Sequence, residues 1–599
     1  MQKDFYQTQI EELRNQLSQN SKNRIIVGTI RLLAFGFTIY SVYLYASQYN
    51  THWLLGTLLG LVCFFVLVKL AEKLSAKKEL LDALVSVNEN EIRALNGEWV
   101  SEATGGVFIE ENHPYALDFD LFGDRSLFAW INRGYTWLGQ KMLAHWLMEP
   151  QLDKTTIEDR QIAVDELAKK VQFRQLLSAY GMVKQTSEED YRQTATWLQK
   201  SGVFKNTKFL KLLFAVLALV MVMCTLLTIL DYIALGYYIY IAIAALGITG
   251  VFLKKVNLEY LQASKSLETL QLYRSFFELM KNESFESPWL ISRQQDLISK
   301  EGALENIQSL TRLIEAFDNR NNMIMGVLLN LVLFWDLNCV LRIADWKKQN
   351  ENEFNDWFKN LGEIEAACSL ANIRYNRAEW TFPEVSNKDY TYEFTAMGHP
   401  FIDEKTRVDN NFSIDGLGSF SIVTGANMAG KSTFLRALGV NMILAMAGSV
   451  VCARAMKFKP IELFSSMRTV DSLQDEASYF FSELSRLKAL IHQLDQEKPT
   501  FIILDEILKG TNSKDKASGS KAFVRNIVNK NAIGAIATHD LSLCTLEQDL
   551  PRKIDNYSFE VEFDQDDLVF DYTLRKGICQ NMNASFLMKK MGIIPEETA

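Results

Sequence analysis

Proline is scarce, with nine in 599 residues. So few helix breakers leave long helices free to form over much of the chain. Seven cysteines are scattered without a Cys-x-x-Cys pair, and the six histidines lie far apart. That pattern points to neither a zinc site nor a disulfide framework, and it suits a reducing compartment. No surplus of positive charge exists either. The formal net charge is -9, so nucleic-acid binding cannot be argued from charge, although a local basic channel is compatible with an acidic average. A charged stub leading into a short apolar core is also missing. The first 24 residues are polar, with Ile10, Leu13 and Leu17 in heptad-like spacing, so no cleavable signal is read there. The length implies several domains.

Charge is absent altogether from Leu32 to Val68, a stretch broken only by the polar run Gln48-Tyr49-Asn50-Thr51-His52. A bilayer core of ~30 Å needs about 20 apolar residues per helix, so this stretch is expected to be a transmembrane hairpin. Arg31 lies near its start, where it can snorkel, and Trp53 and Tyr49 suit the far interface. Leu212–Leu230 and Tyr232–Leu253, separated by Asp231, form a second such pair. Basic residues flank both pairs on one side: Lys22 and Arg24, then Lys69, Lys73, Lys77 and Lys78; later Lys205, Lys208 and Lys211, then Lys254 and Lys255. The short loops have none. The positive-inside rule therefore puts the termini and both large soluble parts in the cytoplasm, which makes this a multi-pass protein of the cytoplasmic membrane. A fifth apolar run, Asn321–Trp335, is short and contains Asn322 and Asn330. It is expected to be a buried helix, because a fifth span would place the remaining chain outside.

The chain divides accordingly into a cytoplasmic N-terminal helix (1–24), a first hairpin (25–70), a helical part (71–208), a second hairpin (209–253), a further helical part (254–386) and an α/β domain (387–599). Apolar spacing such as Leu304, Ile307, Leu310, Leu313 and Ile314 supports the helical parts.

Within the α/β domain, Phe420-Ser-Ile-Val-Thr runs into Gly425-Ala426-Asn427-Met428-Ala429-Gly430-Lys431-Ser432-Thr433. This is a P-loop of complete spacing after a strand and before a helix. The glycines let backbone N–H groups curl around phosphate oxygens, Lys431 reaches the β- and γ-phosphates of ATP, and the Ser432 hydroxyl is a ligand for Mg²⁺. Phe501-Ile-Ile-Leu-Asp505-Glu506 is a buried-strand run ending in two carboxylates. Asp505 is expected to hold Mg²⁺, directly or through water, and Glu506 to orient or deprotonate the attacking water. A third strand from Ala532 ends at His539, placed to sense the γ-phosphate or position water. Three functional turns thus fall at carboxyl ends of strands, as open α/β sheets require. Ser478 opens an amphipathic stretch with Phe480, Leu484, Leu487, Ile491 and Leu494, where it suits an N-cap.

These motifs, with the helical segments at 121–128, 136–143, 146–150 and 157–164, resemble the MutS family. The resemblance covers about 96–200 and 254–599. It implies an ABC-like ATPase domain (MutS domain V) beside an all-α core or lever domain. Gly398-His399-Pro400 and Asn410-Asn411 fit it; Ala426 and Ala429 depart from the family P-loop without removing a phosphate ligand. By resemblance, Asn427 contacts nucleotide, and Ser478, in a Ser-x-Phe-x-x-Glu stretch completed by Glu483, contacts ATP on a second subunit. The Gly510-Thr511-Asn512 turn touches the partner, with Lys509 where the family usually has Arg. Tyr572 lies near the adenine-packing position, and Gly577 and Ser585 match the last ATPase stretch.

Such half-sites imply a homodimer, and DNA, mismatched or branched duplexes included, as the clamped partner. The mismatch-reading domain with its Phe-x-Glu wedge has no counterpart here, and no DNA-clamp domain is identifiable between 254 and 390. Two other readings stand beside the DNA clamp: a membrane scaffold whose ATPase grips a protein partner, and an ABC-type transporter. The transporter lacks the Leu-Ser-Gly-Gly-Gln signature.

Overall fold

The computed structural model describes residues 2–200, 202–204, 206–298, 302–351, 353–468, 479–508, 512–564 and 567–580. Two long antiparallel helices begin the chain, α1 (Gln2–Gln48) and α2 (His52–Leu95). The uncharged stretch forms the closed end of this pair. Its polar halves are held by Arg14–Glu89 at 2.8 Å and by Asn20 Nδ2 donating to the Leu74 carbonyl. The expected N-terminal helix and first span are one continuous rod. Nothing between them breaks a helix except Gly28, which costs only about 1 kcal/mol.

Short capped helices build the body next: α3 (Leu127–Ile131), α4 (Trp137–Met148), α5 (Lys154–Lys169), α6 (Val171–Val183) and α7 (Glu188–Gln199). Ser126, Thr136, Asp153 and Ser187 cap four of them through their side chains, as short polar residues do at helix starts. The second apolar pair comes next as α8 (Thr207–Ile229) and α9 (Leu235–Asn282). Its second member runs far past the apolar segment into the body. There Glu259 pairs with Lys347 at 2.7 Å and accepts from the Trp197 indole at 2.9 Å, all three buried. The remaining helices are α10 (Pro288–Ile298), α11 (Ala303–Phe317), α12 (Met323–Leu333), α13 (Trp335–Gln349) and α14 (Phe354–Asn376).

By length and composition, α1, α2, α8 and α9 could each cross a membrane, and only 11–17% of their apolar windows is buried. The fifth apolar run is not the buried helix its composition predicts. It breaks into α12 and α13, bent by 76° at Phe334, whose backbone is left-handed. Helix α12 lies on the outside, with Met323 84% and Ile324 74% exposed. Composition alone cannot tell an apolar helix facing protein from one facing outward.

The α/β part contains β1 (Glu384–Val385), β2 (Thr391–Met397), β3 (Asn410–Asp415), β4 (Phe420–Gly425), α15 (Lys431–Met446), β5 (Ala455–Phe458), β6 (Glu462–Ser466), α16 (Tyr479–Asp495), β7 (Thr500–Asp505), α17 (Ser513–Asn529), β8 (Ile533–Ala537), α18 (Leu546–Asp549), β9 (Ile554–Asp564) and β10 (Asp567–Lys576). A small sheet has the order β1-β5-β2-β3, and a larger one β10-β9-β4-β8-β7-β6. The larger is parallel from β9 to β6, with β10 antiparallel at its edge. In α16, Leu487, Leu490 and Leu494 are buried whereas Leu484 is exposed, so the buried stripe is narrower than the spacing predicts.

Helix α14 packs on α4 and α5 inside the body, and its Glu365 is buried there. Its carboxylate accepts the Tyr135 and Thr136 N–H groups at 2.7 and 3.0 Å and the Thr136 hydroxyl. It thereby closes the start of α4, and a Cβ at Gly139 would sit 2.3 Å from its Oε2. Burial outweighs these bonds and pushes the Glu365 carboxyl up to about 7. The folded state thus holds the proton more tightly than the unfolded chain, whose value is near 4.5. Stability from this group is full below the lower value and lost as pH rises through the upper one. The unfolding free energy of the intact protein, followed by denaturant titration, is expected to fall between about pH 5 and about pH 8 by up to about 3 kcal/mol, and Glu365→Gln to flatten that slope.

Candidate functional site

The P-loop follows β4, all six residues of which are buried. Gly425 adopts φ 148° with the Phe559 carbonyl oxygen 2.7 Å from where a Cβ would stand, and Gly430 adopts φ 104° at the start of α15. Both positions require glycine. Between them, Ala426, Asn427, Met428 and Ala429 form the loop; Ala429 is buried and Met428 stands out at the rim. Ser432 and Thr433 are exposed in the first turn of α15, where free N–H groups and the helix dipole favour an anion.

Lys431 is buried and folds back on its own loop. Its ammonium donates to the Gly425 and Ala426 carbonyls at 2.9 and 2.8 Å and lies 3.4 Å from His539 Nε2. Burial lowers its pKa, while Asp505 and Glu506 oppose that shift. Asp505 ends β7, and Glu506, at φ 50°, turns toward His539, with Oε1 3.1 Å from Nε2. Burial and Lys431 hold His539 below its ordinary value. One strand over, the Glu506 N–H donates to Ala537 and the Thr538 N–H to Val423. The three strand ends are thereby fixed side by side. Behind them Glu483 of α16 is buried and accepts the Leu508 N–H at 2.6 Å, tying that helix to the turn after Glu506.

Asn427, Lys431, Ser432, Asp505, Glu506 and His539 all face one cleft of about 680 Å³. That lies within the range for small-molecule and cofactor sites. Part of its other wall comes from residues to which the sequence assigned no role. Arg407, paired with Asp409 at 2.6 Å, and His399 line it, and burial with Arg436 and Arg407 pushes His399 down to about 4. Tyr572, expected near the base, completes that wall. It sits in a register break of β10, where Asn410 accepts the Leu574 N–H at 2.7 Å and donates to the Tyr572 carbonyl at 3.0 Å. Asn410-Asn411 stands out in the sequence only as a resemblance. The pairing of Asn410 with the end of the chain has no local signal.

The donor set fits magnesium. Ser432 offers a hydroxyl and Asp505 a carboxylate, both hard oxygen ligands, and among the described residues no cluster of three or more His, Cys, Asp or Glu cages a metal. One or two protein oxygens completed by phosphate oxygens is the usual arrangement for this ion. Ser478, Lys509, Gly510, Thr511 and Ser585 lie outside the described residues, so of the two partner-facing stretches only members such as Glu483 and Asn512, the latter capping α17, are described.

The P-loop helix is gripped along its length by the helical body. Phe119 packs where a Cβ at Gly439 would come within 2.2 Å of its ring, and Arg436 pairs with Asp120 at 3.0 Å. At the far end Arg160 donates to the Ala447 carbonyl at 2.9 Å. Beside it, buried Asp118 accepts from Ser465, from the Arg468 N–H and from Arg486 of α16 at 2.6–2.8 Å. Arg468 also pairs with Asp120 at 2.6 Å.

Comparison with known proteins agrees with this architecture. The family profile of MutS domain III matches residues 117–500, and that of MutS domain V matches residues 421–598. The "DNA mismatch repair protein MutS" of Aquifex pyrophilus is 32% identical over 243 residues, 40% of this chain and 28% of that protein. Its counterpart in Ruminiclostridium cellulolyticum is 33% identical over 235 residues, 38% and 26% of the two chains. Human "MutS protein homolog 4" is 27% identical over 240 residues, 38% and 24%. Each match thus spans about a quarter of the relative's length. With a domain profile covering more than half of it, the chain belongs to the MutS family.

Proposed function

We propose that this chain is an ATP hydrolase anchored in a membrane, acting as a homodimer whose nucleotide cycle closes and opens a clamp on DNA. The observation that carries it is the convergence of Lys431, Asp505, Glu506 and His539 in one cleft at the P-loop. The names of the relatives, mismatch repair proteins among them, support DNA as partner. The four apolar helices with basic flanks on one side support a multi-pass protein of the cytoplasmic membrane with the ATPase in the cytoplasm.

In this mechanism the loop N–H groups and the first turn of α15 bind the phosphates. Lys431 exchanges its two carbonyl acceptors for phosphate oxygens, which relieves a buried cation whose pKa burial lowers. Ser432 and Asp505 hold Mg²⁺, which when bound neutralises charge developing on the transferred phosphate. Glu506 orients the attacking water and takes up its proton. Its partner His539 is held toward the neutral form, so Glu506 can exchange that contact for a water molecule. Tyr572, set in place by Asn410, packs on the base. Ser478 and the Gly510-Thr511-Asn512 turn supply the partner's contacts, so that bound ATP joins two subunits and hydrolysis releases them.

Lys431→Ala is expected to lower turnover by at least about a hundredfold. Glu506→Gln should lower it by about 10²–10⁴ while keeping nucleotide bound. Steady-state hydrolysis and nucleotide retention measure both. Asn410→Ala removes two hydrogen bonds behind Tyr572 and is expected to weaken nucleotide binding about tenfold, read by titration calorimetry. Filter binding with homoduplex, mismatched and branched DNA on detergent-purified protein tests the clamp. Retention that falls with salt, together with stimulated hydrolysis, supports it. Unaltered hydrolysis with no DNA retained would sink the DNA reading and leave a protein partner as the object gripped.

A further inference from the structure

Helix α12 exposes Met323, Ile324, Val327 and Leu328 on one side and buries Gly326 and Asn330 on the other. Leaving such side chains in water forgoes the favourable free energy of removing them from it. The position of the two ends of this helix identifies what covers them. Before its start, Arg320 donates to Asn257 at 2.6 Å, and Asn321 and Asp318 both bond the Tyr260 hydroxyl, at 2.5 and 2.8 Å. Asn257 lies two residues beyond Lys255 on α9, about 3 Å along the axis. After its end, the Phe334 ring meets Phe214 with centroids 5.8 Å apart. Phe214 lies three residues past Lys211 on α8, about 4–5 Å along that axis. Both ends therefore sit at the level of the lysines that close the α8–α9 pair, and the helix, about 16 Å long, lies across the base of that pair.

The direction and burial of the next helix argue against a broken span. Helix α13 turns away by 76° and buries Asp336 and Lys347 in the body. At the bend, Arg320 pairs with Asp336 at 3.3 Å, and Asn330 accepts the Asp336 N–H at 3.1 Å. The chain thus enters and leaves α12 on one side, with Arg320, Asn330 and Asp336 joined on the body and its apolar residues continuing the exposed apolar surface of α8 and α9.

We infer that α12 is a monotopic helix lying in the cytoplasmic interface of the same bilayer, its Met323, Ile324, Val327 and Leu328 side chains among the lipid acyl chains. This rests on the proposed spans α1, α2, α8 and α9. The test reconstitutes the full chain in phosphatidylcholine–phosphatidylglycerol vesicles containing a lipid with a photoactivated diazirine on its acyl chain near the headgroup, and maps adducts by mass spectrometry. Adducts on 323–328 as well as on the four spans are expected, and the double variant Ile324→Glu, Val327→Glu should lose those on α12 alone. Adducts on the spans with none on 323–328, or α12 adducts that survive the double substitution, overturn the inference while the anchoring stands. An absence of adducts from the spans overturns the anchoring, and the inference with it.

Discussion

Everything the cleft can do depends on the docking of one helix, α15, against the helical body. The P-loop is only the start of that helix. Its middle rests on Phe119 at Gly439, its flank on Asp120 through Arg436, and its last turn on Arg160 through Ala447. A helix held at three points along its length moves as a unit, because closely packed interiors transmit displacement instead of absorbing it. The Gly425–Gly430 turn and the body are thus parts of one mechanical piece.

The neighbouring aspartate extends this coupling. Asp118 is buried, and its oxygens are shared among Ser465, the Arg468 backbone and Arg486. Removing one side of such a buried pair is costly, about 3–5 kcal/mol, so β6, α16 and the body stay together. Helix α16 in turn reaches the turn after Glu506 through Glu483. In the proposed mechanism, a nucleotide that displaced Lys431 from its carbonyls or Glu506 from His539 would pull on elements that end in the same short segment, 118–120.

Legibility in the sequence is a matter of locality. The P-loop, the Asp505-Glu506 strand end and His539 each declare themselves within a few residues, because phosphate chemistry needs those groups on adjacent backbone. The uncharged stretches are equally legible, being defined by composition over one segment. Asn410 with Tyr572, and Phe119 with Gly439, are not, since each contact joins distant parts of the chain and depends on how strands and helices pack. The Asn321–Trp335 run misleads for a different reason. Apolarity says that a helix avoids water and is silent on whether protein or something else shields it. Only the exposure of Met323 and Ile324 distinguishes the two.

Helix α9 spans 48 residues without interruption, about 72 Å at the helical rise, and the buried Glu259–Lys347–Trp197 cluster clamps it in the body just beyond its apolar part. A rod so clamped behaves as a stiff lever with no joint between the body and its apolar part. Any rotation of the body would then reappear as tilt of its apolar half, with the two arms moving in opposite senses about the clamp. With the proposed spans in a bilayer, that tilt would be resisted by the thickness of the lipid itself, which would act as a return spring.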